Sequence, residues 1–98
     1  MADVTTAIGG LPPGAALPTM GLTTSEKEYE FTKTAGSRNL RAVQMMAEAE
    51  WQYTHATGGA LFIVPANVPI TIDVYKTPQS VFAKATAGTA TLRLMMAD

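Results

Sequence analysis

Arg38-Asn39-Leu40-Arg41-Ala42-Val43-Gln44-Met45-Met46-Ala47-Glu48-Ala49-Glu50-Trp51-Gln52-Tyr53-Thr54 is the stretch on which the fold turns. At helical spacing Leu40, Val43, Ala47 and Trp51 share one face, and Ala, Met, Glu and Gln are good helix formers. At strand spacing the stretch divides into a strand over Asn39 to Met46, a tight turn at Ala47-Glu48-Ala49, and a strand over Glu50 to His55. That second strand carries Trp51 and Tyr53 together on the core side. Propensity alone favours helix, and the pattern leaves the two readings even. The surrounding chain tips the balance to strands.

Upstream, Glu28-Tyr29-Glu30-Phe31-Thr32-Lys33 alternates polar and apolar residues, the period of a half-buried strand with Tyr29 and Phe31 inward. Ala35-Gly36-Ser37 reads as the turn that follows. Downstream, after Gly58-Gly59, the run Ala60-Leu61-Phe62-Ile63-Val64 is apolar throughout, which predicts a central strand buried on both faces. Beyond Pro65-Ala66-Asn67, alternation resumes with Val68, Ile70, Ile72 and Val74 on one face, and Pro69 marks a strand start or an edge. Lys76-Thr77-Pro78 breaks the chain again. Ser80 to Ala85 and Ala90 to Met96, joined by Ala87-Gly88-Thr89, read as a closing hairpin. Short strands with turn signals at about 8 to 12 residue spacing predict an all-β domain, a small β-sandwich or jelly-roll-like fold.

Residues 1–24 have a different texture. Gly9, Gly10, Gly14 and Gly21 with Pro12, Pro13 and Pro18 leave no room for a helix or strand of normal length. Yet Val4, Ile8, Leu11, Leu17, Met20 and Leu22 recur along the segment and are poorly placed in water. The sequence thus predicts an extended Gly/Pro-rich arm over 1–24, lying on its own surface or a neighbour's, followed by a β-sandwich domain over 25–98. The six apolar residues are its candidate interaction residues.

Composition bounds the function more than it names it. The chain has 98 residues and a formal net charge of -1, enough for one small domain and too neutral for an electrostatic nucleic-acid binder. Hydrophobic residues make up 47% and charged residues 15%, which excludes a disordered acidic tail. With no cysteine, neither disulfides nor a thiolate metal site can supplement the core. No apolar run approaches the roughly 20 residues that span a bilayer. Met1-Ala2-Asp3-Val4 lacks a basic secretory start, and the expectation is a soluble product made inside the cell, with no membrane partner.

No catalytic constellation is visible. His55 is the single histidine, Ser25, Ser37 and Ser80 are scattered, and no Gly-x-Ser-x-Gly elbow occurs, so no catalytic residue is assigned and an enzyme is not expected. Glu26, Glu28 and Glu30, and likewise Glu48 and Glu50, fall on one strand face at i, i+2 spacing. They lack the Asp-x-Asp-x-Asp-Gly pattern of a calcium loop and read as solvated faces. Gly9-Gly10 and Gly58-Gly59 have no following Lys-Ser or Lys-Thr and are turns, not phosphate cradles. No metal or cofactor is assigned. The doublets Met45-Met46 and Met95-Met96 each put one thioether outward on a strand, which forms an apolar contact patch unless a second sheet covers it.

The order of segments carries a resemblance. Ser37-Arg38-Asn39-Leu40-Arg41, Ala49-Glu50-Trp51-Gln52-Tyr53, Phe62-Ile63-Val64-Pro65-Ala66 and Val81-Phe82-Ala83-Lys84-Ala85-Thr86-Ala87-Gly88-Thr89 resemble the small virion structural proteins of tailed bacteriophages. The similarity spans about Ser37 to Met96, leaves the arm out, and rests on turn and strand chemistry. It implies a β-sandwich acting as a capsid decoration (cement) protein on the virion surface. Its partners would be the major capsid protein or other virion proteins, and copies of itself in a homo-oligomer. A low-copy tail, baseplate or head-to-tail connector component would use the same fold. A host-surface-binding fibre domain would instead present Trp51, Tyr53 or Tyr75. In the decoration reading the arm holds the shell, so a chain without residues 1–24 should fold and fail to bind.

Overall fold

Arg41-Ala42-Val43-Gln44-Met45-Met46-Ala47 buries every second side chain, with Arg41, Val43, Met45 and Ala47 inward, and it is a strand. The computed structural model describes residues 2–33, 41–55, 59–74 and 78–97. They form nine strands: β1 (Val4–Ala7), β2 (Ala16–Leu22), β3 (Lys27–Thr32), β4 (Arg41–Ala47), β5 (Trp51–Thr54), β6 (Phe62–Val64), β7 (Ile70–Val74), β8 (Gln79–Ala85) and β9 (Ala90–Met96). No helix occurs among the described residues. The strand reading of the deciding stretch holds, and its first half buries Arg41, Val43, Met45 and Ala47 at period two. Residues 38–40 and the turn expected at 35–37 lie outside the described residues, as do Tyr75 and Lys76-Thr77.

The strands make a β-sandwich of a five-stranded sheet, β1-β3-β8-β5-β6, and a four-stranded sheet, β2-β9-β4-β7. Apart from the β5–β6 hairpin, every connection carries the chain from one sheet to the other. The inner faces meet in one core, in which Tyr29, Phe31, Trp51 and Val81 oppose Leu22, Val43, Met45, Leu92 and Met96. β1 joins its sheet in parallel to β3, and the other pairings are antiparallel.

Three expectations are corrected. The closing hairpin does not exist, since β8 pairs with β3 and β5 while β9 pairs with β2 and β4 in the opposite sheet. Both strands bury alternate side chains into the same core from opposite sides, a demand that pattern cannot distinguish from pairing. The Ala60 to Val64 run is not central. Only Phe62–Val64 forms a strand, at the edge of the five-stranded sheet, with Phe62 58% and Ile63 64% exposed. Pro65 follows at once and ends the ladder, and an apolar run of that length reports no second neighbour.

The third correction concerns residues 1–24, which supply β1 and β2 and are no detachable arm. β2 tolerates Pro18 because it is an edge strand whose register shifts between Leu17 and Met20, so the missing N–H falls at a bulge. Between β1 and β2 the chain crosses sheets through Gly10 (φ 80) and Gly14 (φ 84), left-handed positions that suit glycine. The Gly14 N–H donates to the Met96 carbonyl at 2.7 Å, locking the crossing to the last strand.

Candidate interaction surfaces

The six residues assigned to lattice contact are turned to the chain's own interior. Ile8, Leu17, Met20 and Leu22 are buried in the core, and Val4 and Leu11 pack half-buried against it. Arg41 at the start of β4 fixes this arrangement. Its guanidinium donates to the Ile8 carbonyl at 3.1 Å and to the Leu11 carbonyl at 2.6 Å. Those carbonyls belong to a loop that leaves one sheet and has not yet joined the other, and they take a charged donor.

Four of the polar residues singled out from the sequence, Ser80, Glu28, Glu30 and Glu48, brace strands. Ser80 Oγ donates to Glu28 at 2.5 Å across the outer face of the five-stranded sheet, and Thr5 Oγ1 to Glu30 at 3.5 Å. Glu48 accepts the Thr91 N–H with both carboxylate oxygens, at 2.8 and 3.1 Å. Hydrogen bonds from its own and the Thr91 backbone, with a smaller pull from Arg93, hold the Glu48 carboxyl below its ordinary value. Among the described residues no three His, Asp or Glu side chains converge on a cation position. His55 is exposed and stands edge-on to the Tyr53 ring, 6.0 Å away between centroids. Trp51 is fully buried, and its Nε1 has no acceptor among the described residues, so it contributes through packing.

Two apolar surfaces remain uncovered. The first lies on the outer face of the four-stranded sheet, where the register sets Ala16, Met95 and Gln44 in one row and Arg93 beside Met46 in the next. Among the described residues no second layer covers this face. Met45 and Met96 go inward, while Met46 is half-buried and Met95 40% exposed, as the methionine doublets predicted. Small residues at Gly14 and Ala16 leave a hollow of about 260 Å³ beside the two thioethers, with Arg93 on its wall. Flexible sulfur side chains adapt to a partner's shape, and Arg93 adds a directional donor.

The second surface is the β6 edge. Phe62 extends the tilted ring series Trp51–Tyr53–Phe62, with centroids 5.6 and 5.5 Å apart, from the core out to solvent. Ile63 points to the opposite face of the same strand, and Val68 stands 41% exposed in the following loop. The sequence carried a signal for this edge in Pro65, which ends the run.

No protein-family model matches the chain, and comparison with curated proteins and with solved structures finds no match.

Proposed function

We propose that the protein is a structural component of a tailed-phage virion, of the capsid decoration type, that binds the assembled shell with the outer face of its four-stranded sheet. The observation that carries the reading is the uncovered hollow lined by Met46, Met95 and Arg93 on an otherwise hydrogen-bonded β-sandwich. A β-sandwich presents a rigid face to a partner. Many equivalent copies on a lattice convert a shallow contact into stable binding, because each adds effective concentration to the next. Binding to the assembled form alone also stabilises that form by mass action. The contact comes from the sandwich face, to whose hollow residues 1–24 contribute Gly14 and Ala16, while Ile8, Leu17, Met20 and Leu22 are committed to the core.

Burial of Trp51 weighs against the host-surface fibre reading, since the largest aromatic has no face to offer. Copy number separates decoration from a tail or connector position. In virions of the phage that encodes the chain, quantitative mass spectrometry against the major capsid protein should count copies in the hundreds. A dozen or fewer moves the protein to a vertex, connector or tail position, and absence removes the virion reading. Met95→Glu and Arg93→Glu should abolish sedimentation with purified shells while leaving the circular dichroism spectrum intact; full binding by both variants rejects this face.

A further inference from the structure

The four sheet edges are β1 and β6 in one sheet and β2 and β7 in the other. Natural edges are protected by charge, proline, bulges or shortness, because unpaired N–H and C=O groups template further pairing. β2 carries Pro18 and a register shift. β7 is preceded by Pro69 and contains the exposed Asp73. β1 begins beside Asp3 and shows only Thr5 and Ala7 outward. β6 is short and ends at Pro65, and it differs from the other three in what it exposes: its outward side chains are Phe62 and Ile63, and the chain has no Asp, Glu, Lys or Arg between Glu50 and Asp73.

We infer that β6 is a dimerisation edge, pairing antiparallel with β6 of a second copy across a twofold axis at Ile63. The inference stands independently of the virion reading. Pro65 confines the ladder to Phe62–Val64, so the symmetric register sets Ile63 opposite Ile63 and Phe62 opposite Val64. An antiparallel twofold pairing is isologous and closes on itself, leaving no β6 edge for a third copy. The occupant follows from charge. An uncharged strand meeting itself brings no like charges together, and it covers Phe62 and Ile63 with equally apolar neighbours. A charged or polar strand would leave them without an apolar counterpart. Two five-stranded sheets then join into one continuous sheet, with the Trp51–Tyr53–Phe62 rings close to the axis on one face and Ile63 on the other.

Light scattering on the full chain should return twice the 10.3 kDa chain mass at micromolar concentration, and Ile63→Lys should return a single chain mass with an unchanged circular dichroism spectrum. The absence of native cysteine allows a second test that survives any folding defect of the lysine variant. Ile63→Cys should form an intermolecular disulfide on mild oxidation, because residues opposite one another in an antiparallel pair have Cα atoms about 4.5 to 5.5 Å apart. Thr19→Cys, exposed on β2, should stay uncrosslinked under the same conditions. A monomeric wild-type chain overturns the inference. So does a folded Ile63→Lys variant that remains dimeric, and so does crosslinking at Thr19→Cys that equals or exceeds that at Ile63→Cys.

Discussion

Arg41 Nη2 donates a 2.6 Å hydrogen bond to the carbonyl of Leu11, thirty positions earlier in the chain. With its companion bond to Ile8, it ties the first strand crossing to the start of β4, and it makes the N-terminal segment part of the sandwich. Arg41→Met keeps much of the aliphatic packing and strands both carbonyls. It should lower unfolding free energy by about 1.5 to 3 kcal/mol, the range for bonds to a charged donor. Urea denaturation with an unchanged slope checks this, and amide exchange should rise first over residues 8–15. A loss below the error of the titration would reject the role.

Deleting residues 1–24 should abolish the folded state, not release an appendage. The deletion removes two strands and the buried Ile8, Leu17, Met20 and Leu22, and opens β3 and β9 as new edges. A milder probe is Leu22→Ala, which should cost about 2 to 5 kcal/mol as a buried leucine truncation. Thr19→Ala on the exposed side should stay within about 0.5 kcal/mol. Cooperative unfolding of the truncated chain would restore the arm.

Tyr29 links stability to alkaline pH. Its hydroxyl donates to the Pro18 carbonyl at 2.8 Å, and burial pushes its pKa from an ordinary 10.0 up to about 12. Between those values the unfolded chain releases the proton while the folded chain keeps it. Stability from this group is therefore complete below pH 10 and lost as pH climbs to about 12. Tyr29→Phe should be less stable at neutral pH and should show a shallower fall over that window. Parallel pH profiles for the two proteins would disprove the linkage.

Asn67 turns the β6–β7 connection at φ 60, and its N–H donates to the Ala47 carbonyl at 2.7 Å. Backbone N–H survives substitution, so side-chain changes here isolate the cost of a left-handed residue. Asn67→Val should destabilise by about 1 to 2 kcal/mol. Asn67→Gly should change stability by under about 1 kcal/mol. Thermal melts of the pair decide, and equal melting of both variants would show that the turn relaxes.

β3 was legible from its own alternation, whereas the stretch holding β4 read equally as helix and was tipped to strands only by its neighbours. Tyr29 and Phe31 in β3, and Val43 and Met45 in β4, alternate because a pleated strand sends successive side chains to opposite faces. The methionine doublets fixed one outward thioether each for the same reason, since two adjacent residues on a strand cannot both reach the core, but they left open whether a second sheet covers them. Which strands pair was not legible. β8 and β9 read as neighbours, yet they lie in opposite sheets, because a face pattern records the presence of a core and not the identity of the hydrogen-bonded partner.

The sequence by itself thus determined an all-β domain of short strands, with Tyr29 and Phe31 inward along β3, through local alternation that any strand must obey. Only the tertiary structure decided that residues 1–24 belong to the core and that Phe62 and Ile63 face solvent at an edge. Both outcomes depend on which strand lies alongside, and that neighbour is brought in from distant parts of the chain by the closure of two sheets around one interior.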